Sequence, residues 1–597
     1  MKHWNLSPSQ AQFYGNQVCQ PQFHDGKCSE SGYRKIFAVL VMMRRSGDIV
    51  GFVEQKICDG HLPLEAVVLD DVQLEVRLQG KTNKKLDFLS HWDEDLRHED
   101  FERLQWMMLP PSFVKERGKP ARLYELPKKV IMPWLSEERG YDGGYSWVTK
   151  VQIHPQHYDF KEFESHIISD NTFAVKHLKH LKVPSADDAS NPSRSIFTSK
   201  TGKTELPETV MSTSGTYSLD NLDIKKEFEH EIEILNRLSC NPHPHLITLL
   251  AAYQLGDECC MIFPWADCDL QSMWATMPNP SPALAKSNLQ WVLSQCLGLA
   301  QGLHQIHQSK PTPTPGGMTP GIAETTVYGR HGDIKPKNIL YFANKKDPGK
   351  RGGLVITDFG LTRFHVNETK TYVRGDAVPV TPTYRPPEFD IHNSPISQSF
   401  DIWSFGCVLL EFIAWYLGGW DLVRTFVTRR KLINPLMNNW QTDQFFEILQ
   451  ESPENGHEQI VSARVKREVY QFVNDLHSHS SCSESIHGLL EFIMSKMVVI
   501  ELKLQHKLQN TSPVKHQHIR ATSGEIVEFL QGLCKSLDSL PDSLVATPRA
   551  AQEAEIPVSI EVPGYPVGTR YADLPMNSGK IIKIADLGTA AGSEVVE

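Results

Sequence analysis

The apolar residues of this chain follow two different spacings, and these spacings divide it into three predicted regions. Residues 1–127 alternate apolar runs of helical type, such as IFAVLVMM, with polar joints such as RRSGD. From about Tyr124 the pattern becomes strand-like and aromatic, and from about Lys226 it becomes mostly helical. The pattern predicts an α+β protein in which a mostly helical N-terminal region (1–127) precedes a small β-rich lobe (about 128–266) and a large helical lobe (about 267–535).

One stretch of the helical lobe shows the helical spacing most clearly. Apolar residues recur there at steps of three and four positions, which places them on one buried helix face. They are Leu289, Val292, Cys296, Leu299, Leu303 and Ile306. Two continuous apolar runs, at 36–43 and 407–417, are shorter than the roughly 20 residues that a membrane-spanning helix needs. We therefore expect both runs to be core segments, and we expect no membrane span.

Three segments lack any periodicity. Residues 184–219 are rich in Ser, Thr, Asp and Pro, residues 310–325 contain PTPTPGGMTPG, and the chain after 536 is polar with Pro and Ala. Such segments cannot bury enough apolar surface to become ordered. We therefore expect disordered surface insertions at the first two places and a disordered tail at 536–597.

Charge and cysteine usage narrow the range of partners and compartments. Acidic residues outnumber basic ones by 71 to 61, for a formal net charge of −10. A negative surface repels polyanions, so we expect no nucleic-acid partner. The 11 cysteines include no C-x-x-C pair, and the first ten residues, MKHWNLSPSQ, are too polar for a signal peptide. Both observations favour a cytoplasmic or nuclear location.

Candidate chemistry begins with YGRHGDIKPKNILYF at residues 328–342. The carboxylate of Asp333, the amine of Lys335 and the amide of Asn338 have the spacing of a catalytic loop for phosphoryl transfer. Further along, a short apolar run ends in TDFG, where Asp358 lies 25 residues after Asp333. An aspartate at the end of a strand suits Mg²⁺, because this hard cation prefers carboxylate and phosphate oxygens.

These motifs, in this order, resemble those of the eukaryotic protein kinase family. FAVK at 173–176 is similar to the family's strand whose lysine, here Lys176, grips the α- and β-phosphates of ATP. In FEHEIEIL at 228–235, the apolar residues share one helical face and Glu231 is the acid placed to pair with Lys176. TPTYRPPE at 381–388 and DIWSFGCVLLEF at 401–412 resemble later segments of the family. There the resemblance implies that Asp401 binds catalytic-loop backbone and that Arg520 pairs with Glu388.

The phosphate-binding loop is the weakest part of the resemblance. With YDGGYSWV aligned on Val148, Gly143 keeps the central glycine of the family's G-x-G-x-x-G-x-V motif. Tyr141 and Ser146 stand where the family has its two other glycines. Gly144 lies beside the frame and could keep the turn flexible.

The resemblance implies a bilobal protein kinase fold that uses ATP and Mg²⁺. By analogy with the family, Asp333 accepts the proton of the substrate hydroxyl and Lys335 reaches the transferred phosphate, while Asn338 and Asp358 hold Mg²⁺. The implied nucleotide contacts are Gly143, Gly144, Val148, Lys176 and Glu231.

Alternative activities remain open at this stage. Aminoglycoside-type phosphotransferases also have H-G-D in this loop, but typically with a histidine where this chain has Lys335, and without the T-x-x-Y-x-x-P-E segment. Lys335 and Thr381 are typical of kinases for Ser and Thr hydroxyls of protein substrates. PWADCDL, HGDIKP and LGGWD are similar to motifs of a group of filamentous-fungal kinases. The glycine-poor phosphate loop favours the alternative of a weak or inactive pseudokinase that acts as a nucleotide-binding scaffold.

Gly332 occupies the position of the arginine in the family's H-R-D motif. That arginine binds a phosphorylated activation-loop residue through its guanidinium, and glycine offers no such donor. We therefore predict that phosphorylation of Thr369, Thr371 or Thr381 does not activate the protein by this route.

Overall fold

The chain forms two units, and the structure describes part of each. The computed structural model describes residues 7–19, 23–24, 27–28, 32–70, 73–78, 86–89, 92, 97–142, 146–160, 171–178, 221–239, 241–280, 285–309, 328–347, 349–359, 363–365, 382–389, 397–434, 440–451, 460–501, 519–550 and 560–562. One unit comprises Met1–Lys179 with Thr248–Trp265, and the other comprises His180–Ile247 with Ala266–Glu597. The predicted insertions at 184–219 and 310–325 lie outside the described residues.

The first unit contains four helices and twelve strands among its described residues. The helices are α1 (Pro8–Cys19), α2 (Arg34–Met42), α3 (Ile49–Glu54) and α4 (Arg97–Gln105). The strands are β1 (Phe23–His24), β2 (Lys27–Cys28), β3 (Leu64–Asp70), β4 (Gln73–Leu78), β5 (Phe113–Val114), β6 (Leu123–Leu126), β7 (Trp134–Asp142), β8 (Ser146–Ile153), β9 (Tyr158–Asp159), β10 (Thr172–Leu178), β11 (Ala251–Leu255) and β12 (Glu258–Pro264). Six of them form one sheet in the order β6-β11-β12-β10-β8-β7, in which β6 runs parallel to β11 and the other pairs are antiparallel.

Strand β10 shows why this sheet has two unlike faces. Phe173 and Val175 are buried and belong to the unit's aromatic and aliphatic core, together with Val151 and Ile262 from the neighbouring strands. Alternation along a strand sends the intervening residues to the opposite face. Lys176 therefore lies on the face away from this core.

The region before residue 128 contributes to this sheet. Phe113 is fully buried in the same core, where its ring packs edge-on against Tyr124 at a centroid distance of 5.2 Å. Strand β6, which contains Tyr124, pairs with β11. The region also has the hairpin β3–β4. The prediction of a mostly helical region at 1–127 therefore omitted strands, and the sheet begins before the predicted boundary.

A second core stabilises the N-terminal helices. The apolar face of α2, with Ile36, Val39 and Leu40, is buried among aromatic side chains that include Phe52 and Trp92. The indole of Trp92 donates a hydrogen bond to the buried Asp48 carboxylate at 2.7 Å. These helices thus bury an apolar core of their own.

The second unit contains the remaining seven helices and ten strands of the described chain. The helices are α5 (Asn221–Ser239), α6 (Leu270–Thr276), α7 (Lys286–Gln308), α8 (Ser399–Arg430), α9 (Arg467–His477), α10 (Glu484–Phe492) and α11 (Ser523–Asp538). The strands are β13 (Cys268–Asp269), β14 (Tyr328–Arg330), β15 (Ile339–Phe342), β16 (Gly353–Ile356), β17 (Arg363–His365), β18 (Leu432–Asn434), β19 (Trp440–Thr442), β20 (Phe446–Glu451), β21 (Ile460–Val465) and β22 (Ile560–Val562). The short sheets are β13-β15-β16, β14-β17, β18-β19 and β20-β21-β22.

Helices α7 and α8 form the centre of this unit. All six apolar positions predicted for one face of α7 are buried, which confirms that part of the pattern. Helix α8 is apolar and long enough to cross a membrane by length and composition, but its apolar stretch is entirely buried within the unit. The predicted core role of the run at 407–417 is therefore confirmed.

The predicted disorder of the tail is wrong for its first fifteen residues. Helix α11 continues to Asp538, and Leu537 and Leu544 are buried. Thr547 donates its backbone N–H to the carbonyl of Cys482 at 2.8 Å. The apolar pattern of this segment is too short to show a helix period. It also cannot show contacts such as that of Thr547 with Cys482, which join segments far apart in sequence. The rest of the tail, apart from β22, lies outside the described residues.

Candidate active site

The pairing of β15 with β16 brings two predicted motifs together. Ile339 pairs with Ile356 at one end of this antiparallel ladder. Asn338 immediately precedes β15, and its carbonyl accepts the N–H of Thr357, which immediately follows β16, at 2.9 Å. The predicted metal residues Asn338 and Asp358 therefore lie at the same end of the same ladder.

Asp333 lies at the centre of a cluster of hydrogen bonds. Its Oδ2 is 2.6 Å from Nζ of Lys335 and accepts a hydrogen bond from Nδ2 of Asn338 at 3.0 Å. Nδ2 of Asn338 also donates to the backbone carbonyl of Asp333 at 2.9 Å. Asp333 and Asn338 are buried, whereas Lys335 is partly exposed. Of the four predicted catalytic and metal-binding residues, the structure thus brings Asp333, Lys335 and Asn338 into direct contact.

Asp401, near the start of α8, binds the backbone of the loop that carries Asp333. Its two carboxylate oxygens accept the backbone N–H groups of His331 and Gly332, both at 2.8 Å. Burial raises the pKa of Asp401, but the hydrogen bond and charge of His307, the charge of His331 and the N–H of Gly332 outweigh burial and lower it. The predicted contact of Asp401 with catalytic-loop backbone is confirmed.

Sequence reasoning missed the residues that support Asp401. Nε2 of the buried His307 lies 2.9 Å from Asp401 Oδ2, and His307 Nδ1 lies 3.1 Å from the hydroxyl of Ser523 in α11. His307 is at the end of α7, and 216 positions separate it from Ser523. A histidine at the end of an apolar helix face could have indicated a buried polar contact. No pattern in the sequence indicates that Ser523 is its partner.

Gly332 has a backbone conformation that only glycine adopts freely. Its φ is +87°, in the left-handed half of the Ramachandran plot. Compared with the arginine of the family motif, glycine here avoids the conformational strain of a positive φ. It also lacks the guanidinium group.

Asp358 also has a positive φ, of +66°, and its side chain is exposed. Aspartate is one of the few non-glycine residues that tolerate this conformation. The following Phe359 is buried, and its ring lies 5.3 Å from that of His331. Nε2 of His331 lies 3.0 Å from the carbonyl of Thr357. His331 therefore links the loop of Asp333 to the segment that carries Asp358.

Two buried ion pairs anchor the TPTYRPPE segment. Nη2 of Arg520 lies 2.6 Å from Oε1 of Glu388, as predicted. The second pair, Glu411 with Arg430 at 2.6 Å, was not predicted; Glu411 also accepts the hydroxyl hydrogen bond of Tyr384 at 2.8 Å. Burial raises the pKa of Glu411, and the charge of Arg430 opposes this effect. Thr381 lies outside the described residues.

The predicted nucleotide residues are divided between the two units. In the first, Val148 and Lys176 pair directly across β8 and β10, on the face away from the core. Gly143 and Gly144 lie outside the described residues, between β7 and β8, which pair as an antiparallel hairpin. In the second unit, Glu231 is buried on α5.

The geometry can be compared with known proteins. The family model described as "Protein kinase domain" matches residues 215–496, which contain Glu231, Asp333, Lys335, Asn338 and Asp358. A probable leucine-rich repeat receptor-like protein kinase of Arabidopsis thaliana is 30% identical over 191 residues, covering 32% of this chain and 23% of the relative. Cyclin-dependent kinase 17 of Caenorhabditis elegans is 29% identical over 184 residues, covering 31% and 22%.

A third relative has a different status. An inactive leucine-rich repeat receptor-like serine/threonine-protein kinase of Arabidopsis thaliana is 28% identical over 204 residues, covering 34% of this chain and 26% of the relative. The chain therefore spans about a quarter of the length of these curated relatives. The strand-rich and helix-rich parts of the structure fit a bilobal kinase fold. The family match, the relatives and the geometry around Asp333 together support a protein kinase domain in this chain.

Proposed function

We propose that the chain transfers the γ-phosphate of ATP to serine or threonine hydroxyls of protein substrates. The observation that carries the proposal is the contact of Asp333 with both Lys335 and Asn338. A carboxylate held by two donors keeps one orientation, which is what a group that orients a substrate hydroxyl and accepts its proton requires. Asp333 is buried but keeps 8% of its surface exposed, which leaves room for a substrate hydroxyl to reach it.

The donor set around the loop fits Mg²⁺. Both hydrogen bonds of the Asn338 side chain use the amide nitrogen, so its oxygen is the atom suited to bind the cation. Asp358 supplies an exposed carboxylate at the same end of the β15–β16 ladder. Bound Mg²⁺ would neutralise charge that develops on the phosphates.

Lys335 favours a hydroxyl of a protein side chain as acceptor. Its ammonium lies beside Asp333 and is partly exposed, so it can contact the phosphoryl group as this group passes to a substrate hydroxyl held at Asp333. Positioning and charge stabilisation supply most of the catalysis in this reaction class. In the first unit, Lys176 would hold the α- and β-phosphates, with Val148 beside it on the same sheet face.

A pseudokinase is the second candidate. Tyr141 and Ser146 replace two glycines of the phosphate loop, and one relative of similar identity is described as inactive. Such a protein would bind nucleotide, or a partner, without phosphate transfer.

The deciding experiment measures transfer of labelled phosphate from ATP to a generic protein substrate with Mg²⁺ or Mn²⁺. We expect Asp333→Asn to reduce the rate at least about 100-fold. The matched control is Asp347→Asn, because Asp347 is an exposed aspartate in the loop after β15; its rate should stay within about twofold. Label on Ser and Thr supports the proposal. Label on an added amino-sugar instead would assign the chain to the small-molecule phosphotransferases.

A parent protein that binds ATP but transfers no label to any acceptor would establish the pseudokinase alternative. We place the activity in the cytoplasm or nucleus, with protein substrates and ATP as partners. Nine of the cysteines in the described part of the chain are free thiols, which supports a reducing compartment.

A further inference from the structure

A cluster of three possible metal ligands lies in the sheet of the first unit, on the core side of β10 and β12. His177, Glu258 and Cys260 each present one ligand atom, and these three atoms lie within 4.8 Å of one another. None of the three belongs to the proposed phosphoryl-transfer site. We propose that this cluster binds Zn²⁺ and thereby links β10 and β12.

The separation of the ligand atoms suits zinc. Nδ1 of His177 lies 3.3 Å from Sγ of Cys260. Tetrahedral Zn²⁺, with bonds of about 2.0–2.1 Å to nitrogen and about 2.3 Å to sulfur, separates a nitrogen ligand from a sulfur ligand by roughly 3.5 Å, which is close to the observed distance. A nitrogen, a thiolate and a carboxylate are together the ligand set of a borderline-soft cation, and such a set disfavours Mg²⁺ or Ca²⁺.

The histidine ring is already held in an orientation suitable for a ligand. Its Nε2 lies 3.1 Å from the buried hydroxyl of Thr149 on β8, and the ring stacks on Trp147 at a centroid distance of 4.7 Å. With the ring proton on Nε2, where the Thr149 oxygen accepts it, Nδ1 presents its lone pair to the sulfur. Outer contacts of this kind fix the tautomer and orientation of metal-binding histidines.

The surrounding charge favours a cation. The carboxylates of Glu258 and Glu137 both act electrostatically on the Cys260 thiol. Cys260 itself is fully buried, whereas Glu258 is exposed and offers access from solvent. Binding would release the thiol proton to solvent and leave a zinc-bound thiolate, with no change of oxidation state. A water molecule would complete the coordination.

The test uses the full chain stripped with a chelator and then titrated with Zn²⁺ or Co²⁺. We expect one metal ion per chain by elemental analysis, a thiolate-to-cobalt charge-transfer band, and a higher thermal unfolding midpoint with Zn²⁺. Cys260→Ser should abolish the band and weaken binding at least about tenfold. The matched control is Cys259→Ser, because the adjacent residue of a strand points to the opposite face.

Glu258→Gln provides a second variant in case Cys260→Ser fails to fold, since Glu258 is exposed. It should keep the charge-transfer band and weaken binding at least about tenfold. The proposal is overturned if the parent binds no metal ion, or if Cys259→Ser abolishes the band while Cys260→Ser retains it. Neither readout depends on phosphate transfer, so the proposed kinase activity is tested separately.

Discussion

The ammonium of Lys335 lies 2.6 Å from the Asp333 carboxylate that we propose as the proton acceptor. Asn338 holds the same carboxylate oxygen through a second donor. Loss of the lysine would leave Asn338 as a donor to this oxygen, so we expect the main contribution of Lys335 to fall on the transferred phosphate.

We expect Lys335→Met to lower kcat about 100-fold and to change the KM for ATP less than about threefold, because the amine acts on charge that develops in the transition state. Steady-state kinetics with varied ATP measure both. Lys345→Met, at an exposed lysine in the loop after β15, is the control and should retain the parent rates. A raised KM with unchanged kcat would instead assign Lys335 to ground-state binding.

Asp401→Asn should affect both stability and activity. The amide has one acceptor oxygen where the carboxylate accepts N–H groups from His331 and Gly332 on separate oxygens. We expect a loss of about 3 kcal/mol in the free energy of unfolding, since a buried charged partner is removed. Denaturant unfolding measures the loss, and kcat should fall with it. Asp421→Asn, at an exposed residue of the same helix, should change neither quantity.

Much of the second unit's site could be predicted because its motifs have fixed spacings along the chain. Asn338 and Asp358 lie at the same end of one short strand pair, and local spacing is sufficient to identify such a pair. Contacts between distant segments leave no comparable pattern in the sequence. His307 meets Ser523 across 216 positions, and hydrophobic periodicity reports which face is buried, not which polar group it faces.

Glu411 shows a signal that could have been used. It is the single acid in DIWSFGCVLLEF after Asp401, and a carboxylate inside an apolar helix requires a partner. The structure supplies Arg430 and Tyr384. A glutamate in this position indicates that a buried partner exists, but only the fold shows which residues the partners are. The N-terminal region was misjudged for a related reason: Phe113 is buried by strands far along the chain.

Lys176→Met should abolish phosphate transfer without unfolding the protein. Lys176 lies on the sheet face away from the core, so the substitution leaves that core intact. We expect at least about a 100-fold lower rate, with an unchanged circular dichroism spectrum. Lys128→Met, at an exposed lysine of the same unit paired with Asp257, is the control and should behave as the parent. Near-normal turnover by Lys176→Met would exclude the assigned role of this lysine.

Substitutions of Gly332 separate backbone strain from side-chain chemistry. At φ +87°, Gly332→Arg and Gly332→Ala should each cost about 1–2 kcal/mol of stability. Gly332→Asn should cost less, because asparagine tolerates the left-handed region. Denaturant unfolding of the three variants gives the order. Equal losses for Asn and Ala would show that the backbone conformation is not the cause.

The stability of the second unit should rise with pH above about 8 because of Lys466. Its Nζ is buried and donates to the carbonyls of Arg430 and Thr442, at 2.7 and 3.0 Å. Burial, and then the charge of Arg430, lower the pKa of Lys466 from 10.5 to about 8. Between these two values the unfolded chain binds more protons than the folded chain, so the free energy of unfolding increases with pH by up to about 1.4 kcal/mol per unit.

Below about pH 8 both states carry the proton, and Lys466 contributes no slope. Denaturant unfolding between about pH 7.5 and about pH 10 should therefore show a rise in the parent that Lys466→Met lacks. Other titrating groups are common to both proteins and cancel in the difference. Lys431→Met, at the neighbouring exposed end of α8, should keep the parent's slope. Parallel curves for the parent and Lys466→Met would mean that the buried amine keeps its proton, held by the two carbonyl groups.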